Sequence, residues 1–462
     1  MSFLVKNKGK IMEKIWPSIQ ELIDQLCAEF DKVWQKRQRV IDTKFLVTFI
    51  TKLVLSKNKQ GYGSVLTELW ENEEFSKLQA TPFSASSICE ARQKMPATIF
   101  NVLNQRMLSK FETIFDLPLW HGHRIFGVDG SKINLPRELI NYGYKAPNNY
   151  QYYPKGLIST LYHLGSGLIY DSLLSSDKNE RICLISHMDK LKQSDVLVLD
   201  RGYFSYLVLT KAIEKKVHLI CRMQHLGNMN KEVQKFILSD ELDKIINYQA
   251  TPAAMCESKK QGFDIKLKPI KLHLIKYNID NNIYICATTL LDPIKYPLDD
   301  FAAAYHGRWG IEELYKISKL FIEIEDFHAK SERGIKQECY AHMLIINIAR
   351  IFALHAENEL PELKLTIPKK ADQRNAYWKN FIKEVKIFQI NFKNCLLTIG
   401  RNLIKLLWPD ELIRQNPIYN ILVRSIVRLR QKIRTGRHFV RQSRAPINKW
   451  KDCRGGKVPY AA

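Results

Sequence analysis

Apolar residues recur at steps of three and four through Ile11 to Trp34 and Thr43 to Leu55, the spacing that lays one apolar stripe along a helix. The first 120 residues or so read as helical on this pattern. It changes near residue 121. Ile125-Phe-Gly-Val-Asp129-Gly-Ser-Lys-Ile-Asn-Leu and Asp195-Val-Leu-Val-Leu-Asp200-Arg-Gly-Tyr-Phe are near-continuous apolar runs, the mark of strands covered on both faces. Leu157 to Leu164 and Leu168 to Leu174, parted by Gly165-Ser-Gly167, predict the two arms of a hairpin. Helices are predicted over Asn179 to Gln193 and Tyr203 to Lys216, followed by a strand at Val217-His-Leu-Ile-Cys-Arg-Met. Further strand-like runs, Phe263 to Leu274 and Asn282-Ile-Tyr-Ile-Cys-Ala-Thr-Thr-Leu, lie in a β-rich tract of residues 224 to 300, and Cys339 to His355 predicts a buried helix. With no repeat, low-complexity tract or long Pro/Gly/Ser linker, boundaries come from these changes of pattern: a helical region at 1–120, an α/β region at 121–350 and a helical, basic region at 351–462.

Length and charge narrow the reading. A chain of 462 residues with 45% hydrophobic content has core enough for two or three domains. Lys plus Arg number 71 against 47 Asp plus Glu, a net charge of +24 with a pI near 9.5, which points to nucleic acid or an anionic membrane as partner. A membrane fits less well: the apolar stretch Phe45 to Leu55 is broken by Lys52 and is too short to span a bilayer. The start, Met-Ser-Phe-Leu-Val-Lys-Asn-Lys-Gly-Lys, turns basic before any signal-length apolar run. The expectation is a soluble, cytoplasmic, nucleoid-associated protein with no membrane contact. Between Arg424 and Lys457 twelve basic residues in 34 positions are opposed only by Asp452, a composition suited to gripping a DNA backbone, or else a solvated basic tail. The nine cysteines stand singly, which excludes a zinc finger or disulfide framework, and His121-Gly-His123 has no acid or Cys beside it to complete a metal site.

The densest chemistry lies in Tyr305-His-Gly-Arg308-Trp-Gly-Ile-Glu312-Glu-Leu-Tyr-Lys-Ile-Ser-Lys319. Steps of three, four and seven put Tyr305, Arg308, Glu312 and Lys319 on one side of a single helix. A carboxylate in a stripe of cations and a phenol suits a site where a metal ion and phosphates meet; the alternative is a solvated face with an ordinary Arg308/Glu312 pair. Asp129 and Asp200 stand in or at the end of apolar strands, where an acid is costly unless paired or metal-bound. Asp129-Gly as a hairpin turn and Asp200 as a helix cap remain alternatives. Upstream, Phe83-Ser-Ala-Ser-Ser-Ile-Cys-Glu-Ala-Arg92-Gln-Lys94 predicts a Ser-capped helix carrying two cations, a combination that favours anions at its start.

With Asp129, Asp200 and Glu312 in that chain order, the sequence resembles the DDE transposases of bacterial insertion sequences. The branch in question has the signature Tyr, two residues, Arg, three residues, Glu, six residues, Lys, which Tyr305, Arg308, Glu312 and Lys319 meet without a gap. Val128-Asp129-Gly-Ser resembles the family's first-Asp segment and Leu199-Asp200-Arg-Gly-Tyr-Phe its second, and the likeness runs from about residue 80 to about 350. The resemblance implies an α/β fold: an RNase H-like mixed sheet flanked by helices, a β-rich insertion between the second Asp and the Glu, an all-helical N-terminal DNA-binding domain and a basic C-terminal region for DNA contact or dimerisation. It implies metal-dependent DNA strand cleavage and strand transfer at terminal inverted repeats, with Asp129, Asp200 and Glu312 holding Mg²⁺ or Mn²⁺, two ions in all, and a homodimer working in a synaptic complex on double-stranded DNA. Tyr305, Arg308 and Lys319 would grip phosphates, Arg201 would contact DNA beside the second acid, and Arg92 and Lys94 would bind the terminal repeat. Some relatives stack a flipped base on an aromatic of the insertion; with no Trp between Trp120 and Trp309, that role would fall to Tyr248, Phe263, Tyr277 or Tyr284. The alternative function is a transposase-derived DNA-binding protein that no longer cuts.

Overall fold

In the computed structural model the described residues are 11–37, 39–56, 61–148, 152–177, 179–223, 230–249, 251–266, 268–279, 282–360, 388–409 and 418–433. The chain forms two compact units, one made of Met1–Asp116, Ile133–Gly156 and Lys316–Ala462, the other of Leu117–Lys132 and Leu157–Tyr315. The first opens with six helices: α1 (Ile11–Trp34), α2 (Thr43–Leu55), α3 (Tyr62–Trp70), α4 (Glu73–Ser76), α5 (Ala85–Lys94) and α6 (Thr98–Glu112). Their starts follow local chemistry. Asp42 caps α2 by accepting the Phe45 N–H at 2.7 Å, and Ser84 caps α5 by accepting the Ser87 N–H at 3.1 Å.

An eight-stranded mixed sheet is built from β1 (Ile125–Asn134), β2 (Lys155–His163), β3 (Ile169–Ser175), β4 (Val196–Leu199), β5 (His218–Arg222), β6 (Asp243–Tyr248), β7 (Ile270–Ile279) and β8 (Asn282–Thr288), in the order β3-β2-β1-β4-β5-β8-β7-β6. β4 lies parallel to both β1 and β5, and each of its four residues is fully buried, which accounts for the unbroken Val-Leu-Val-Leu run. The predicted hairpin is present as antiparallel β2 and β3. β6, β7 and β8, from the β-rich tract, extend the same sheet through antiparallel pairing of β8 to β5. β7 begins at Ile270 and not at Phe263, because the Phe263 N–H returns to the carbonyl of Ser258 and so closes the end of a helix.

Between these strands lie α7 (Glu180–His187), α8 (Tyr206–Glu214), α9 (Lys231–Leu238) and α10 (Pro252–Lys260). α7 stops well short of Gln193: the chain tightens into a 3₁₀ turn at Met188–Lys190, just after His187 is locked between Asp171 at 2.9 Å and Ser159 at 3.0 Å. α8 starts at Tyr206 and not Tyr203, since a 3₁₀ turn at Arg201–Tyr203 follows Asp200 and Ser205 supplies the cap. His121 and His123 are engaged by Asp300, Ser194 and Tyr296, within ordinary side-chain contacts.

The stretch expected to be one helix from Tyr305 to Lys319 is divided. α11 (Leu298–Gly307) ends at Arg308, α12 (Trp309–Lys316) restarts at once, and a π turn occupies Ile317–Phe321. A wider π turn changes the angular advance per residue, so Lys319 leaves the stripe that an ideal helix would give it. α13 (Glu332–Asn358) then runs 27 residues. It is long and apolar enough to cross a membrane, yet 94% of its most apolar window is buried, against α1, α2 and α6. It is the core helix of the helical unit.

Arg92, expected to bind DNA, is only 4% exposed. Its guanidinium donates to Glu338 of α13 at 2.9 Å, to Gln337 at 3.1 Å and to the Tyr62 hydroxyl. Its charge is consumed in joining α5 to α13, which removes it from the set of DNA-contacting cations. Burial would raise the Glu338 carboxyl, but Arg92 and then His328 override it and hold it down to about 2. Arg92→Ala should destabilise the protein by about 3–5 kcal/mol in denaturant titration, by stranding a buried carboxylate. Because the folded Glu338 titrates below its ordinary value of 4.5, the pair's contribution should be complete above that pH and be lost as pH falls towards 2, which melts at graded pH would reveal.

Candidate active site

β1 and β4 are parallel neighbours paired at Ile125 with Val196 through Gly127 with Val198, so Asp129 and Asp200 follow on adjacent strands in the same direction. Neither takes the turn or cap alternative: Asp129 lies inside β1, and Asp200 offers no side-chain cap to the turn that follows it. Glu312 arrives from the first turn of α12. That helix is held against the strands by Tyr315, whose buried hydroxyl lies 2.8 Å from the Asp129 carbonyl, 3.1 Å from the Ile158 carbonyl and 3.1 Å from the Thr160 hydroxyl. Gly127 permits the approach: a β-carbon there would come within 2.8 Å of Ile311 Cδ1 and 3.0 Å of Leu164 Cδ2.

Arg308 joins the acids. Its Nη2 donates to Glu312 Oε1 at 2.9 Å, and its Nη1 lies 3.6 Å from Asp129 Oδ2. The Arg308/Glu312 pair predicted from spacing is therefore present, but half of it is buried, with the Arg308 side chain 10% exposed and that of Glu312 36%. Tyr305 donates its hydroxyl to Asp200 Oδ1 at 3.0 Å, so the structure spends on the second acid the group expected to hold a phosphate. Burial raises the Asp129 carboxyl above the ordinary range; the Gly130 N–H and Arg308 pull it back, while Glu312 and Asp200 push it up. Burial likewise lifts the Tyr305 phenol to about 12, helped by the charge of Asp200. For Arg308 burial works against its charge, but Tyr305 and the three acids outweigh it and raise the guanidinium above its usual value. Four side chains named from sequence spacing thus meet with Asp129 in one hydrogen-bonded and charge-coupled cluster.

The other candidates lie elsewhere. Lys319, in the π turn, belongs to the helical unit, half-buried, its ammonium lowered by burial and by Lys155 against the pull of Glu325. Arg201 is exposed one residue beyond Asp200. Lys94 is exposed at the end of α5 and lines, with Arg333 and Lys336, a cleft of about 310 Å³ at the start of α6. Of the insertion's aromatics, Tyr277 is buried and stacked on Tyr284 at 5.8 Å, and Tyr248 meets Phe204 edge-on at 5.6 Å. Of the C-terminal basic run, Arg424, Arg428, Arg430 and Lys432 are described, and the remainder lies outside the described residues.

Three residues of the cluster escaped the sequence reading. Tyr315 is three places after Glu312, a spacing that signals one helix face. Tyr203 follows the second acid by three, and Glu180 opens α7 behind its cap Asn179; no local pattern distinguishes Glu180 from any acid at a helix start. Among the described residues no three His, Cys, Asp or Glu side chains form a ready-made metal cage. The donors nevertheless suit a hard cation: all are carboxylate oxygens, the ligands Mg²⁺ and Mn²⁺ prefer.

A strand-borne pair of acids and a helix-borne third, bound together by an Arg, define a carboxylate site of the kind found in phosphoryl-transfer enzymes. Residues 120–348 match the family described as Transposase DDE domain, and this part of the chain is a transposase DDE domain. The chain is 26% identical over 193 residues to "Putative transposase y4zB" of Sinorhizobium fredii (strain NBRC 101917 / NGR234), a match covering 41% of this chain and 52% of that protein. The chain thus spans about half the length of the curated relative it matches. The synaptic complex of piggyBac transposase with hairpin DNA, solved by cryo-electron microscopy, is similar over 90% of this chain and 86% of that chain at 10% identity, with a TM-score of 0.38, too low to carry an argument.

Replacing Arg308 by Ala should raise the already elevated Asp129 carboxyl further, since it removes the cation that offsets Glu312 and Asp200. Carboxyl-detected NMR titration of the free protein would measure this, with Arg308→Lys expected to restore part of the difference.

Proposed function

We propose that the chain is an active DDE transposase of the Tyr-Arg-Glu-Lys branch, which binds the terminal inverted repeats of an insertion sequence and catalyses metal-dependent strand cleavage and strand transfer. The observation that carries this reading is the cluster itself: Asp129, Asp200 and Glu312 are far apart in the chain, yet Arg308 and Tyr305 tie them into one group. A buried cluster of three acids has no structural need that apolar residues would not meet better. The order β3-β2-β1-β4-β5, with β1, β4 and β5 parallel, supports an RNase H-like core. Divalent cations, when bound, supply activation of the attacking oxygen and stabilisation of the leaving one.

Asp129, Asp200 and Glu312 would hold those cations. Arg308 neutralises two of the acids in the free protein, and its buried Nε has no partner among the described residues, leaving a donor for a phosphate oxygen. Tyr305 fixes the orientation of Asp200. The helices up to about residue 120 would bind the terminal repeat, with Lys94 as a backbone contact beside Arg333 and Lys336; Arg201 and the basic C-terminal run would add further contacts. Double-stranded DNA is the substrate, and the working form is a homodimer in a synaptic complex. The net charge of +24 supports the polyanionic partner.

Labelled DNA carrying the element's own end should be cut in Mg²⁺ and left intact with chelator. Asp129→Ala, Asp200→Ala or Glu312→Ala should abolish cutting and change binding by no more than a few-fold. Undiminished cleavage by any of the three would sink the assignment, and tight binding without cutting under any metal would favour the non-cutting descendant. Lys94→Ala should weaken binding equally on specific and unrelated DNA, and lower the slope of log affinity against log salt by about 1.

A further inference from the structure

Glu180, which opens α7, stands against the same acids without belonging to the three read from the sequence. Its side chain lies over Gly130, the neighbour of Asp129: a β-carbon at position 130 would come within 3.1 Å of Glu180 Oε1, 3.1 Å of its Cγ and 2.9 Å of Leu157 Cδ1. Burial raises its carboxyl above the ordinary range, and Asp129 and Asp200 raise it further against the pull of Lys132. A second observation is independent of the acids. The Tyr203 side chain is 2% exposed, and its hydroxyl has no hydrogen-bond partner among the described residues. The charges that act on that hydroxyl are Glu180 first and Asp129 second. A buried hydroxyl is nearly always satisfied, and this one faces the acids with a donor in hand.

We propose that Glu180 is a fourth carboxylate of the cation site, holding a divalent metal together with Asp129 and Asp200, and that the Tyr203 hydroxyl donates to an oxygen of the filled site. The proposal rests on the reading of Asp129, Asp200 and Glu312 as metal ligands. Charge supports it: two divalent ions carry four positive charges, which four carboxylates balance and three do not. Gly130 follows from it, since any larger residue would push Glu180 off Asp129.

The test is Mn²⁺ binding to the full chain without DNA, by isothermal titration and by the electron paramagnetic resonance signal of free Mn²⁺, for wild type, Asp129→Asn, Glu180→Gln, Glu180→Asp and Tyr203→Phe. Circular dichroism melts check that each variant folds. Glu180→Gln is expected to weaken Mn²⁺ binding by about 10-fold or more, the scale of a lost ligand or its support. Glu180→Asp keeps the charge and the helix start and should lose less, and Tyr203→Phe should weaken binding a few-fold. Wild-type affinity and stoichiometry in Glu180→Gln and Glu180→Asp, while Asp129→Asn loses binding, would overturn the fourth ligand and leave the three-acid reading standing. Wild-type behaviour in Asp129→Asn as well would overturn both.

Discussion

Carboxylates gathered in a half-buried space repel one another, and no fold holds them there without a compensating charge. In this protein that charge is Arg308. It reaches Glu312 four residues on and Asp129 on β1, while the neighbouring Tyr305 takes Asp200. The surrounding architecture serves the same constraint: two parallel strands set the first two acids side by side, Gly127 lets α12 approach, and Tyr315 anchors that helix to the carbonyls of β1 and β2. An anchor beside Glu312 confines its carboxylate better than the exposed face of a lone helix would.

The break at Arg308 has a related logic. In a continuous helix the residues between Tyr305 and Glu312 would all be committed to one cylinder. With α11 ending at Arg308 and α12 starting at Trp309, the guanidinium sits at the joint, where it serves acids delivered by different elements.

Much of this was legible beforehand, and the reasons differ by residue. Strands β1 and β4 showed themselves because parallel central strands are apolar on both faces, and an acid within or after such a run stands out. Tyr305, Arg308 and Glu312 were found by spacing alone. What failed was context at long range. Arg92 has the local look of a surface cation at the end of a Ser-capped helix; only Glu338, 246 residues away, shows that it is a buried ion-pair partner. Lys319 left its stripe because a π turn, invisible in residue spacing, intervenes. Glu180 carries no pattern, and only the close approach of α7 to Gly130 gives it meaning.

The two compact units are interleaved along the chain. The backbone passes from one to the other in the loop before β1, within β1, at the start of β2 and at the end of α12. No single cut therefore separates a DNA-reading portion from a cutting portion. A fragment starting after α6 would keep α13 yet strip it of α1, α2 and α6, baring the most apolar helix of the described chain to water. A lineage of such proteins can exchange surface loops freely, but it cannot trade its helical unit as a cassette.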